Sequence, residues 1–263
     1  MAHKTIAGGT AYAIKGGKTM VGGTSFGVKK GKTMVDGTVY EIGFGQAISD
    51  LPVGASVFMN VNGAEKEFLI VHQGKPSTLY DDSCDGTWLL MKDIYESRAW
   101  NDSDVNDYAN STIHTYLNNT FLNLFDSNIK DAIKQVKIPY RKNGGSGGTD
   151  QSGANGLSAK IFLLSGYEVG WTTSDSSYFP VDGAKLDYFT ASSGGNSKRI
   201  ANFNGSATSW WLRSPSTDNT LLVWYVNSNG SYFDYGTTNS RGIRPALILP
   251  GDTLVDDNFN IIA

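Results

Sequence analysis

A chain of 263 residues is long enough for one large domain or two smaller ones, with ample material for a buried core. Charged residues make up only 18 % of it, and the balance is taken by glycine (31 residues), Ser, Thr and Asn, which favours turns, strands and ordered loops over long helices. A net charge of −3 offers no field for nucleic acid, the lone Cys84 excludes an internal disulfide or a cysteine zinc site, and no apolar run reaches the ~18 residues of a membrane span.

The N-terminus is periodic. "KTIAGGTAYAIKGG" (4–17), "KTMVGGTSFGVKKG" (18–31) and "KTMVDGTVYEIGFG" (32–45) align without gaps at a spacing of 14 residues. Each unit reads as a short strand, a Gly-Gly or Asp-Gly turn, an alternating second strand and a glycine that permits the next reversal. Tyr12 and Ile14, Phe26 and Val28, and Tyr40 and Ile42 sit two apart and are expected to share a face. The lysines of 15–32, broken by glycines, fit a solvated strand face. Hairpins this small bury little alone, so residues 1–45 are expected to act as a stalk or docking element. They would pack on the rest of the chain, in a homo-oligomer, or on another protein. "MAHKTIAGGT" has no apolar signal core, so the expectation is cytoplasmic synthesis without Sec export.

From Gln46 the character changes, and residues 46–263 are read as the main domain. "SVFMNVNGAEKEFLIVHQG" (56–74) predicts a hairpin turning at Asn62-Gly63, and "TWLLMKDIYESRAW" (87–100) contains a buried strand. Across 103–125, Val105, Tyr108, Thr112, Tyr116 and Leu117 have helical spacing, with Ser103 as N-cap. A second helix is expected over 127–136, with Ile129, Ile133 and Val136 on one face. "RKNGGSGGTDQSGANG" (141–156) reads as a flexible surface loop, "AKIFLLSG" (159–166) as a strand, and "RPALILP" as a closing strand. The fold class is α+β, with two helices, many short strands and long late loops.

The chemistry-bearing residues form no catalytic or metal set. His3, His72 and His114 lack ligand spacing. "DDSCDG" (81–86) lacks the alternate oxygens of a calcium loop and reads as a turn, and Cys84 has no cation beside it to activate the thiol. No nucleophile elbow, P-loop or dinucleotide fingerprint occurs. No cofactor is expected. Asn-x-Ser/Thr triplets such as Asn229-Gly230-Ser231 are a chance product of the composition.

What remains is the stretch "YVNSNGSYFDYGTTNS" (225–240), without Lys, Arg or Glu, set between "SWWLRSP" (209–215) and "RGIRPALILP" (241–250). On a strand the two tryptophans cannot face one core, so one is expected to pack inward and the other to shape a pocket or interface. Arg213 and Arg244 are read with them as a structural frame. Tyr supplies large rigid contact area, and Ser, Asn and Gly supply adaptable hydrogen bonds, as in antibody paratopes. Within the stretch, Val226 and Gly230 are expected to be fixed points.

"WWLRSP…VWYVNSNG…GIRPAL" (210–247), with "YANSTIHTYLNNTFLNLF" and "IKQVKIP" upstream, resembles bacterial and phage proteins that carry a C-type-lectin-like domain of the formylglycine-generating-enzyme type. Among these are the variable proteins of diversity-generating retroelements, in which a reverse transcriptase rewrites a C-terminal segment. The resemblance spans about residues 46–250, and the 14-residue repeats are similar to those of phage tail proteins. It implies a lectin-like domain. The enzymes of this type use a cysteine pair or a histidine cluster, which this chain lacks. "WND" (100–102) stands without the partner loop of calcium-binding lectins, so it is read as coincidence.

Rewriting the adenines of adenine-containing codons, often Asn codons, yields Asn, Ser, Thr, Asp, Tyr, Gly, Phe, Leu and a few others, a palette that matches 217–240 well. The resemblance therefore implies a ligand-binding set of Asp218, Asn219, Thr220, Leu222, Tyr225, Asn227, Ser231, Tyr232, Phe233, Asp234, Tyr235, Thr237, Thr238 and Asn239. The expected function is a non-enzymatic receptor-binding protein of a phage tail tip or fibre, bound to host-cell surface protein or glycan. Two alternatives are an enzyme on the same fold, formylglycine-generating or carbohydrate-active, and a purely structural virion protein.

Overall fold

The computed structural model describes residues 45–192 and 194–263, together with the backbone of six strands before residue 45. Those strands pair in sequence as three separate antiparallel hairpins: Lys4–Ala7 with Thr10–Ala13, Gly17–Val21 with Thr24–Val28, and Lys30–Val35 with Thr38–Gly43. The side-chain faces expected of Tyr12/Ile14, Phe26/Val28 and Tyr40/Ile42 lie outside the described residues, as does His3.

The main body has few helices and mostly antiparallel strands in several small sheets. Its principal strands are β1 (Ser56–Val61), β2 (Ala64–Gln73), β3 (Thr87–Met91), β4 (Glu96–Ala99), β5 (Ile161–Phe162), β6 (Trp210–Pro215), β7 (Leu222–Val226), β8 (Tyr232–Gly236), β9 (Ser240–Ile243) and β10 (Ala246–Leu249). One five-stranded sheet runs β5-β10-β3-β2-β1, all antiparallel. The other runs β4-β9-β6-β7-β8, with a parallel contact between β6 and β9 at Trp210 and Gly242. A small third sheet pairs Leu254–Val255 with Gln46–Ala47 and with Ile261–Ile262.

Local chemistry explains the first sheet. Asn62 (φ 54°) and Gly63 (φ 72°) both take positive φ, the two-residue turn that matches the twist of a hairpin. β3 is buried at all five residues, as its unbroken apolar run requires of a central strand. Both outer strands are closed. The Asn118 side chain accepts from the Lys160 and Ile161 N–H groups (2.8 and 3.2 Å) and donates to Ile161 O (2.9 Å), while Phe58 N–H on β1 donates to Phe259 O (3.0 Å).

The helical region starts later than its periodicity suggests. Ser111, not Ser103, is the N-cap: its hydroxyl accepts from His114 N–H (3.2 Å), and α1 spans Thr112–Tyr116. The turn then widens to a π-helix over Leu117–Phe121 and ends in a 3₁₀ turn over Leu122–Leu124. Residues 101–107 stay out of the helix because Asn101 organises them as a loop. Its amide donates to Val105 O (2.9 Å), and its Oδ1 accepts from Asp102 and Thr112 N–H (both 3.1 Å). Val105, expected on the buried face, is exposed.

The second helix, α2 (Ser127–Ala132), stops before Ile133, whose backbone is extended. Val136 opens the next strand, so Ile129, Ile133 and Val136 reach the core from two kinds of element. The glycine-rich 141–156 stretch is not an open loop. Tyr140–Lys142 pairs with Thr149–Gln151, and Arg141 bonds Asp150 across the ladder (2.9 Å). Among the described residues no helix is long and apolar enough to cross a membrane.

Candidate functional site

The bracketing motifs form a buried frame. Trp210 and Trp211 point to opposite faces of β6, yet both are fully buried, because both faces of the sheet are covered there. Trp210 donates its indole N–H to Arg199 O (2.9 Å), and Trp211 donates to Arg98 O (3.1 Å). The expectation that one tryptophan opens onto a pocket is therefore corrected.

Arg213 meets Glu168 at two points (2.6 and 2.7 Å), with further bonds to the carbonyls of Pro139, Leu163 and Asp182. Tyr80 donates to the same Glu168 (2.8 Å). Ser214 donates to Asp182, whose carboxyl is pushed up to about 7 by burial, against the opposing pull of Arg213. Arg244 donates to Met91 O (2.7 Å) and lies 5.0 Å over the Trp210 ring.

On this frame sits the 216–240 segment. β7 and β8 pair from Leu222 opposite Gly236 to Val226 opposite Tyr232. Val226 is fully buried. Gly230 has φ +80°, and a Cβ there would lie 2.2 Å from Asn196 O, so the tip admits glycine alone. The preceding loop is held from behind. Asn106 donates to the carbonyls of Asn219 and Leu222 (2.8 and 2.7 Å) and accepts from Gly145 N–H (2.8 Å), and a Cβ on Gly145 would collide with Asn219 O.

The fourteen expected contact residues do not share one surface. Phe233 (60 % exposed) and Tyr235 (45 %) project from one face of β8, and Asp218, Thr220, Thr238 and Asn239 are exposed in the flanking turns. Leu221, outside the expected set, is also exposed (44 %). Asn219, Leu222, Asn227, Ser231 and Asp234 are half-buried. Asn219 Oδ1 holds Leu221 N–H (2.7 Å), and Ser231 Oγ donates to Asn229 Oδ1 (2.7 Å). Burial raises the Asp234 carboxyl above its ordinary value.

Three residues of the set belong to the packing. Tyr225 is only 8 % exposed and lies edge-on to Trp211. Tyr232 wedges against Trp171, Phe179 and Trp224 and donates to Asp175 O (2.8 Å). Thr237 is fully buried, its hydroxyl donating to Ser103 O (2.9 Å).

Cations complete the face that carries Phe233 and Tyr235. The Arg241 guanidinium lies 4.8 Å from the Tyr225 ring, 4.7 Å from Tyr235 and 5.7 Å from Trp211. Its Nε is buried with no hydrogen-bond partner. Opposite it in the ladder stands Arg98, which bonds Glu96 (2.8 Å) and lies 3.3 Å over Tyr116. Two arginines facing each other across a ladder repel. Glu96 offsets the charge of Arg98, while Arg241 has no acidic partner among the described residues: its Nη1 donates to Ser240 O (2.9 Å) and aromatic rings flank it. Sequence reasoning passed over both arginines; the one available signal was the position of Arg241 at the start of the second bracketing motif, and Arg98, in 87–100, gave none.

The other chemistry-bearing residues are engaged elsewhere. His72 pairs with Asp187 (2.9 Å), and burial, the larger effect, lowers its pKa. Burial takes His114 down to about 4 and lifts the Cys84 thiol to about 12. Asp81 caps the short turn Asp82–Cys84 that leads into β3. Among the described residues no group of three or more His, Cys, Asp or Glu is placed to hold a metal ion.

A family model described as a domain of unknown function (DUF6273) matches residues 85–251. The match covers more than half of the chain and contains both bracketing motifs and the face between them. The chain belongs to this family. No curated protein and no solved structure matches it.

Proposed function

We propose that the chain is a non-enzymatic ligand-binding protein whose C-type-lectin-like domain presents the exposed part of 217–240 to a host-cell surface protein or glycan. In this reading it is a receptor-binding component of a phage tail, reaching the virion by assembly after cytoplasmic synthesis. Residues 1–45 join it to further copies or to other tail proteins. Many weak contacts displayed together then gain avidity.

One observation carries the proposal: two large aromatic side chains, Phe233 and Tyr235, stand exposed on a strand whose neighbours are locked by a buried frame. Large exposed rings cost solubility unless something covers them, and a rigid base limits the entropy lost on binding. The few helices and short antiparallel strands are those a lectin-like domain would have.

Attachment of the purified full chain to a panel of bacterial cells and to a glycan array tests it. The double variant Phe233→Ser/Tyr235→Ser should lose attachment while keeping the melting temperature. Attachment that survives the double variant sinks the proposal. Exchangeability is tested separately by sequencing the neighbouring DNA, where a reverse-transcriptase gene and a near-copy of the 210–245 coding segment differing only at adenines are expected.

A further inference from the structure

The outer edge of β8 is open. Asn227 N–H donates to Ser231 O (2.7 Å) and Thr237 N–H to Leu221 O (3.1 Å). Antiparallel ladders alternate, so Tyr225/Phe233 and Val223/Tyr235 are the bonded pairs between those two, and the N–H and C=O groups of Tyr232 and Asp234 point away from β7. These outward groups meet no main-chain partner among the described residues. The outer strands of the other large sheet, by contrast, are closed by Asn118 and by the 259–261 segment. An open edge is a template for one more strand, unless charge or shape forbids it.

Charge selects what that strand carries. On the face of Phe233 and Tyr235, the full charge without an acidic partner among the described residues is the Arg241 guanidinium, 4.8 Å from the Tyr225 ring and 4.7 Å from the Tyr235 ring, with its Nη1 donating to Ser240 O. Tyr235 links the two features, since it belongs to the edge strand and touches the cation. A guanidinium already held by flanking rings and by Ser240 O presents its remaining donors to a carboxylate at reduced entropic cost. Arg241 stands on β9, with β6 and β7 between it and β8, but its side chain carries the guanidinium to 4.7 Å from the Tyr235 ring. A Glu on a strand added about 4.8 Å outside β8 therefore reaches toward it across that ring. Asp234 faces the opposite side of β8 and disfavours acidic residues there, and it also disfavours pairing with a second copy of the same edge.

We infer that the β8 edge and Arg241 together form a docking site for an extended acidic polypeptide segment, with alternate carboxylates on the Arg241 side. This rests on the binding-face reading above and names the partner chemistry of that face. An acidic sugar can use Arg241 but not the strand edge, which is why a polypeptide is the occupant.

The probe is an acetylated, amidated octapeptide of alternating Thr and Glu, titrated into the full chain and followed by amide and arginine-side-chain NMR. Shifts are expected at residues 232–236 and at Arg241 Nε, with binding weakened about tenfold or more by Arg241→Gln. Two further probes should fail to bind: the Thr/Lys peptide, and the Thr/Glu peptide N-methylated at alternate amides in the phase that faces the edge. Trigalacturonate is the sugar arm. If it binds and the peptide does not, or if the methylated peptide binds unchanged in both phases, the inference is overturned.

Binding of the Thr/Glu peptide that is lost in Phe233→Ser/Tyr235→Ser but untouched by Arg241→Gln removes this inference and leaves the binding face standing. A face silent to every probe, on a chain that still attaches to cells through Phe233 and Tyr235, does the same. Retained melting temperatures show that each variant is folded.

Discussion

Arg213 and Glu168 meet as a two-point ion pair, at 2.6 and 2.7 Å, with neither side chain exposed to solvent. Such a pair is costly to break, because the survivor is left as an uncompensated buried charge. Glu168→Gln is expected to destabilise the domain by about 3–5 kcal/mol in urea unfolding. The double variant Arg213→Met/Glu168→Leu is not expected to recover wild-type stability. The carbonyls of Pro139, Leu163 and Asp182 lose their donor with Arg213.

Beside that pair, Asp182 makes stability depend on pH. Its carboxyl titrates near 7 in the folded chain against an ordinary 3.8, chiefly because it is buried. A raised folded value means that the native state holds the proton more tightly. The contribution is complete below about pH 4 and is lost as pH rises through about 7. Asp182→Asn, which cannot ionise, should gain melting temperature relative to the wild type steadily between those limits. Parallel curves for the two proteins over that range would overturn this.

Tyr225 and Phe233, paired across β7 and β8, should respond very unequally to truncation. Tyr225→Ala is expected to cost about 3 kcal/mol as a large-to-small change in packed surroundings. Phe233→Ser is expected to stay within about 0.5 kcal/mol. Chemical denaturation of the two single variants separates them.

Gly230→Ala combines a positive φ with a backbone oxygen inside the space a Cβ needs. A loss of about 1–3 kcal/mol is expected from strain at such a position. Asn229→Ala, next to it, should cost less, and differential scanning calorimetry of the pair checks the order.

Cys84 is buried, and its thiol is held up at about 12 by burial and by the negative charge of Glu168. Ellman's reagent should leave the folded chain untouched at pH 8 and label it fully in urea. Rapid labelling without denaturant would contradict the packing of this residue.

Much of the fold was legible wherever one local pattern dominated. Asn62-Gly63 announced its hairpin because both positions need positive φ, and the apolar run of β3 announced a central strand. The helix start was misplaced because Ser103 and Ser111 are equally good caps in isolation. The choice is made by Asn101, whose amide ties the intervening loop to Thr112 and Val105.

The glycine-rich 141–156 stretch misled for a related reason. Glycine marks both mobile chain and close approach, and only the position of Asn219 O distinguishes them at Gly145. In the candidate site, composition located the segment but could not separate the anchored Tyr232 from the exposed Tyr235. That distinction depends on Trp171 and Asp175, far away in sequence. The partner of Arg213 and the rings around Arg241 were hidden for the same reason.

The pairing of Gln46–Ala47 with Leu254–Val255 has a consequence for evolution. It brings the two boundaries of the main body to one spot, so the segment between them enters and leaves a host chain through a single doorway. Such a unit can be spliced into an exposed loop of another protein without prising that loop apart. Inserted in this way, the domain would keep the internal support of its 217–240 surface, because that support lies between the two paired segments.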